Sequence, residues 1–374
     1  MTSAQMTEHN EMVAKLNADY GAGRNERVPI TMASDEALWL DTAKSTFRDF
    51  YTDPAIQIDV MLRGMAWCAE NIVHDARIGL PETWSVAPRW WMDEPEVLGC
   101  DVTMQENEFA WSRPAEVEKS ALIDHVRSID LRDAITASRL YRLYVDMSDL
   151  AEGMTYRDRP VSIASPGGTH GIFTIAARVR GEERLCLDMM EDPEWAYEYL
   201  GAITDHTIGR IEAWHELAET KTDVPSAGGW GMPDDSLQMI SPATYGKLVL
   251  PHHERIYAHF TTGHRSMHLC GFAQHQYDPL YHELDIRALD GPGPWVDYGQ
   301  VMAELPELSI SAQTDHTLLI TGNGGEIDGM MRGMLTEGSK LPGRFRVTGF
   351  IVPGTPPENV RSAYESGVRH GRIA

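Results

Sequence analysis

Two periods of apolar and polar positions organise this 374-residue chain. From Pro160 onward, short apolar runs closed by Gly, Pro or Asp alternate with longer stretches whose apolar positions recur every three to four residues. The first pattern marks strands and the second amphipathic helices. Strand-like runs fall at residues 160–165, ending at Pro166-Gly167-Gly168, and at 223–229, 265–271, 286–290, 308–313 and 345–352. Helical periodicity fills the intervals: a start near Thr169-His170, then 192–219, 241–262, 278–283, 296–305, 326–337 and 357–370. Asp53-Pro54 and Ser241-Pro242 are helix starts of the cap-then-proline kind, because the cap oxygen takes a free N–H and proline needs none.

Six strand–helix alternations imply a parallel sheet with helical crossovers. Upstream, residues 27–32 read as a first strand, and 37–50 and 54–74 as helices. About eight units are then available, which predicts an α/β chain folded as a single (β/α)₈ TIM barrel rather than an open doubly wound sheet. No Gly-x-Gly-x-x-Gly follows the first strand, so the dinucleotide-binding alternative lacks its marker. Residues 1–26 form an N-terminal helical extension closed by Gly21-Ala22-Gly23, and 27–374 form the barrel. Within it, 79–114 is an irregular insertion with short strands, rich in Trp, Pro and Gly, followed by a linking region. Trp84, Trp90, Trp91 and Trp111 there either pack as a small core under a long loop or roof a substrate pocket.

Charge narrows the partners. A formal net charge of −24 would repel phosphates and excludes a nucleic-acid partner. Cys68, Cys100, Cys186 and Cys270 form no paired pattern, which suits a reducing cytoplasm. The polar amino terminus lacks an apolar signal core, and no apolar run is long enough to span a bilayer. The expectation is a cytoplasmic chain with no membrane partner.

In such barrels the active site lies at the carboxyl ends of the strands. That rule collects Trp230, Asp234 and Asp235, then His268 and Cys270, then Asp290, then Gln313, Asp315 and His316, then Gly349. His268 and Cys270, two positions apart on a strand, face the same way, and an imidazole nitrogen with a thiolate makes half of a zinc site. Each candidate also has an ordinary reading: His268 and Cys270 as core, Asp234-Asp235 as a surface or capping pair, Asp290 as a turn before Gly291-Pro292-Gly293, and Asp315 as a helix cap. Read chemically, His268 and Cys270 bind metal. Asp235, Asp315 and His316 supply acid–base groups, and Trp230, Asp290 and Gln313 meet substrate. His206, His252, His253, His275 and His282 fall within helical segments and read as packing or surface residues.

Several segments resemble the uroporphyrinogen decarboxylase superfamily, in the same order. They are residues 174–195 with their helix, Gly181 and Glu191-Asp192-Pro193; Ser241-Pro242-Ala243-Thr244-Tyr245 followed by Leu250-Pro251; His268-Leu269-Cys270-Gly271; and Pro353-Gly354-Thr355-Pro356-Pro357-Glu358-Asn359-Val360. The resemblance covers about the last 210 residues and implies a (β/α)₈ barrel. The His-x-Cys pair is similar to that of the zinc-dependent methyltransferases that exchange a methyl group with a corrinoid, implying that His268 and Cys270 are zinc ligands. Those enzymes carry a second Cys in the last strand's loop, where this chain has Thr348 or Gly349. A carboxylate ligand would fall near Gln238, with Asp234 and Asp235 close by. The set is thus incomplete, or is filled by Asp235 with Asp315 or His316.

The amino-terminal Arg-rich motif of the true decarboxylases is missing at residues 27–33. No Asp-x-His-x-x-Gly stretch occurs, so the corrinoid (cobalamin) would come from a separate corrinoid protein. The expectation is a methyltransferase acting between that cofactor and a small methylated substrate, an O-methyl or N-methyl donor, with zinc activation. A metal-dependent decarboxylase, another lyase or a hydrolase is the alternative on the same barrel, and a non-catalytic binding barrel is the third class. A homodimer is compatible with all of them.

Overall fold

A computed structural model describes residues 3–166, 168–220 and 224–373. Eight strands run parallel: β1 (Ile30–Ser34), β2 (Trp84–Val86), β3 (Arg159–Ile163), β4 (Trp230–Pro233), β5 (Arg265–His268), β6 (Ile286–Asp290), β7 (Ser309–Gln313) and β8 (Phe345–Ile351). Six form one sheet in the order β1-β8-β7-β6-β5-β4, and β2 pairs with β3. At the seam between the two groups, Gly171 N–H just beyond β3 donates to the Pro233 carbonyl of β4.

Each strand is followed by at least one helix. The crossovers include Pro54–Asn71, Arg139–Ala151, Pro193–Leu217, Leu250–Phe260, Tyr277–His282, Tyr298–Glu304 and Gly324–Gly338, with Pro357–His370 closing the chain. This is the (β/α)₈ barrel that the alternation predicts. The outward strand faces, such as Ile30, Val347 and Ile310, are buried with Met331, Leu335 and Ala363 from the surrounding helices. No helix among the described residues is long and apolar enough to cross a membrane.

The helix Ser3–Gly21 lies at the amino ends of the strands. The Arg346 guanidinium stands 4.4 Å from the Tyr20 ring centroid, and Asn25 Oδ1 accepts from Gly343 N–H, 2.8 Å away, just ahead of β8. Asp75 ties the first strand to the last helix. Its buried carboxylate accepts from Arg27, from Ile30 N–H at 2.7 Å and from Tyr364 O–H at 3.0 Å.

Three elements differ from the sequence reading. The strand expected at 223–229 begins at Trp230; Asp223 itself, like Gly167, lies outside the described residues. Pro225 offers no N–H and Gly228-Gly229 no side chains, so ladder pairing with β5 starts only at Trp230. The stretch expected as helix 37–50 is two helices, Glu36–Ala43 and Phe47–Thr52. Lys44 turns left-handed at φ 59°, and Thr46 caps the second by accepting from Asp49 N–H. The linking region holds the helices Lys119–Ser128, Leu131–Ala137 and Arg139–Ala151. Asp130 and Ser138 cap the last two, and Leu140, Leu143 and Met147 bury one face of the third.

Candidate metal centre

Strand register builds the site. Pro233 at the end of β4 is level with His268 at the end of β5, which is level with Asp290 at the end of β6. Adjacent parallel strands stand just under 5 Å apart, so side chains at matched positions meet. His268 Nδ1 and Asp290 Oδ2 are accordingly 2.9 Å apart. Gly291, at φ +105°, makes the turn after Asp290. A Cβ there would stand 3.0 Å from His268 Cε1 as well as straining the backbone.

Beyond β4 the two aspartates separate in function. Asp235 begins the short helical turn Asp235–Met239 and reaches across to β5. Its Oδ1 accepts from Cys270 N–H at 2.8 Å and stands 3.7 Å from His268 Nε2. The donor atoms of Asp235, His268 and Cys270 all lie within 4.8 Å of one another, on half-buried side chains. Ligands around tetrahedral zinc at 2.0–2.3 Å stand roughly 3.3–3.8 Å apart. Small side-chain rotations therefore bring these three atoms to bonding distance, with a fourth position left open.

The electrostatics favour a cation. Burial works against a charged His268 ring, but the hydrogen bond to Asp290, the Cys270 side chain and the Asp235 charge together push its pKa up to about 10. Asp290 on Nδ1 fixes the ring so that Nε2 faces Asp235, the carboxylate–imidazole pairing common behind metal-binding histidines. Asp290→Ala is expected to weaken metal binding by about 10–100-fold while leaving all three donors in place. Competition with a zinc-sensitive dye checks it.

Asp234 holds the loop from beneath and is fully buried. It accepts from Phe173 N–H at 3.2 Å, Thr174 N–H at 2.8 Å, Thr174 O–H at 2.7 Å and, through a 2.9 Å contact, His253 Nε2. The first two donors are free amides at the start of helix Ile172–Arg180, where a carboxylate is favoured. His253 in turn reaches Tyr245 O–H through Nδ1, at 3.2 Å. Gly171 cannot carry a Cβ, which would fall 2.1 Å from Asp234 Cγ. A π-type turn over Tyr245–Val249 precedes Leu250-Pro251 and absorbs the N–H that Pro251 lacks.

The other expected site residues lie elsewhere. Trp230 is at the amino end of its strand, because that strand starts later than the sequence suggests. It stacks on Phe260 and meets Tyr257 edge-on, which makes it a packing residue. Asp315 spends its carboxylate capping helix His316–Thr321, accepting from Leu318 N–H at 3.1 Å, and His316 is exposed on that helix's first turn. Gln313 ends β7 opposite Thr348, and neither it nor Asp315 nor His316 joins the cluster. Gly349 packs against Met32, and Gln238 accepts from Phe272 N–H, so Asp235 is the carboxylate brought to His268 and Cys270.

Two cavities flank this centre. One of about 500 Å³ is lined by Gly231, Ser266, His268, Asp290, Ser311 and Arg346. The other, about 400 Å³, lies at the carboxyl ends of β2–β4. Behind the second, Arg210 is buried and pairs with Asp93 at 2.9 Å and Glu94 at 3.2 Å, while Glu94 also meets His170 Nδ1 at 3.1 Å. Burial pushes Asp93 up to about 6 against the pull of Arg210. For Glu94, burial is outweighed by Arg210 and His170, which hold it well below the usual range. Arg210→Leu would strand two buried carboxylates and is expected to destabilise the fold by about 3–5 kcal/mol, read by chemical denaturation.

Residues 92–369 match the family described as "Uroporphyrinogen decarboxylase (URO-D)". Among curated proteins, the "Methylated-thiol--coenzyme M methyltransferase" of Methanosarcina mazei is 25% identical over 194 residues, 51% of this chain and 49% of that protein. The chain thus aligns with about half the length of that relative. A solved structure, "methyltransferase from Methanosarcina mazei", superposes with a TM-score of 0.63 at 14% identity, covering 96% of this chain and 98% of the other. With the barrel in place and the family pattern matched from residue 92 to 369, the chain belongs to the uroporphyrinogen decarboxylase family.

Proposed function

We propose that this chain is a zinc-dependent methyltransferase moving a methyl group between a small methylated substrate, an O-methyl or N-methyl donor, and a corrinoid carried by a separate protein. The observation that carries the reading is the convergence of Asp235, His268 and Cys270 at one barrel mouth with Asp290 behind the imidazole. The family membership and the methyltransferase names of its relatives support it.

One imidazole, one thiolate and one carboxylate would hold the ion and leave a position for the substrate heteroatom. Zinc bound there would polarise the atom that carries or receives the methyl group. Asp290 holds the His268 ring, and Asp234 with His253 holds the loop that presents Asp235. The four cysteines are free thiols, which suits a reducing cytoplasm.

The test uses free cob(I)alamin with an O-methyl donor, anisole, and an N-methyl donor, tetramethylammonium. The cobalt electron pair forms the new cobalt–carbon bond, and phenolate or trimethylamine leaves with the electron pair of the broken carbon–oxygen or carbon–nitrogen bond. Zinc-loaded protein is expected to produce methylcob(III)alamin, seen by mass spectrometry, and zinc-stripped protein is not. Absence of zinc-dependent transfer from both donors would remove this reading. A second reading, metal-dependent decarboxylation or hydrolysis, is favoured by one observation: the centre has a single sulfur, and fewer thiolates leave zinc a stronger Lewis acid.

A further inference from the structure

Small side chains line the inside of the barrel on four neighbouring strands: Gly231 on β4, Ser266 on β5, Ala288 on β6, and Ser309 and Ser311 on β7. Register sets Gly231 level with Ser266, Ser266 with Ala288, and Ala288 with Ser309. Their strand neighbours Met267, Leu289 and Ile310 are buried in the hydrophobic core. Eight-stranded barrels ordinarily fill this interior with bulky branched residues. Here the small residues leave the cavity of about 500 Å³, which reaches from His268 and Asp290 at the carboxyl ends to Arg346 and Tyr20 at the amino ends. A space of that size walled by hydroxyl groups holds water or a polar ligand.

The alternation of β8 buries Phe345 and Val347 in the core and turns half-buried Arg346 into the lumen. Its guanidinium lies 4.4 Å from the ring centroid of buried Tyr20 and makes no ion pair or side-chain hydrogen bond among the described residues. The acidic residue in the cavity wall, Asp290, is engaged with His268 Nδ1 at 2.9 Å. A guanidinium stacked on an aromatic ring keeps its edge N–H groups free for a planar, forked acceptor. Ser311 is the register partner of Arg346, and Ser309 is the next inward position toward the amino end. Ser311 Oγ stands 3.3 Å from Thr348 Oγ1, and hydroxyl protons rotate toward whichever acceptor is nearest. One unpaired positive charge between hydroxyl groups suits one singly charged acceptor. A doubly charged ion would find no second cation there and would face Asp290.

We propose that the amino end of the barrel lumen binds a short-chain carboxylate of the size of acetate, recognised by Arg346 with Ser309 and Ser311. The carboxylate pairs with the edge of the guanidinium above Tyr20, the two hydroxyls donate to its remaining lone pairs, and the short tail lies along Ala288 and Gly231. The site does not depend on the methyl-transfer reading. None of these residues is a metal donor, and Tyr20 belongs to the amino-terminal helix at the opposite end of the barrel from Cys270.

The test is titration of the full chain with acetate and with its neutral isostere acetamide, followed by saturation-transfer nuclear magnetic resonance on zinc-loaded and zinc-stripped protein. Acetate is expected to bind roughly tenfold more tightly than acetamide, equally with and without zinc. Arg346→Met should erase the difference and Arg346→Lys should keep part of it, with melting curves confirming that both fold. Ala288→Leu fills the lumen without touching the cation and should block acetate as well, so the prediction stands even where loss of the guanidinium unsettles Tyr20. Equal binding of the two probes, a preference that survives in Arg346→Met, undiminished binding in Ala288→Leu, or binding of neither probe overturns the proposal. Acetate bound only when zinc is present would place it on the metal and overturn it too.

Discussion

His268→Ala and Cys270→Ser are each expected to lower zinc affinity more than about a hundredfold, since loss of a direct ligand exceeds the cost of losing an outer one. Methyl transfer should be abolished in both, and Asp235→Ala should behave the same way. The fold should persist. All three side chains are half-buried at the barrel mouth, so truncation opens no core cavity. Metal content by mass spectrometry and unchanged far-ultraviolet circular dichroism read the two halves of this expectation. Full zinc occupancy in all three variants would place the metal elsewhere.

Asp234→Ala should have the opposite profile, a loss of stability before any loss of chemistry. Its carboxylate holds two helix-start amides, a hydroxyl and an imidazole, all packed away from water. Removing it leaves these donors unpaired in the interior, at a cost of about 3–5 kcal/mol. The melting midpoint should fall by roughly 4–6 °C. Asp234→Asn keeps the shape but gives up one acceptor, and should cost about 1–3 kcal/mol. An Asp234→Ala protein that melts with the parent would show that this network does not hold the loop.

The alternating periods made the barrel readable, because strand and helix patterns repeated with turn residues between them. Helix 357–370 was legible to the residue, with a proline start and the carboxyl-end Gly371. The short helices 119–151 were harder to see, since three brief amphipathic stretches interrupt one another before any period is established. At the site, the two-residue spacing of His268 and Cys270 was visible because a strand puts both on one side.

What brings Asp235 to them is register between β4 and β5, a long-range property that no local window contains. Misplacing the start of β4 also put Trp230 at the wrong end of the barrel. His253 and Arg210 were hidden for another reason: each sits on the apolar stripe of a helix, beside Ile256 and Tyr257 in one case and Thr207 and Trp214 in the other. A polar residue on such a stripe signals a buried partner, but its identity comes only from the fold.

The most direct measurement is anomalous diffraction at the zinc edge from crystals of zinc-loaded protein. The predicted result is one ion bound by Cys270 Sγ at about 2.3 Å and by His268 Nε2 and an Asp235 oxygen at about 2.0–2.2 Å, with Asp290 still on His268 Nδ1. Zinc bound away from these three side chains, or no zinc at the barrel mouth at saturating metal, would contradict it.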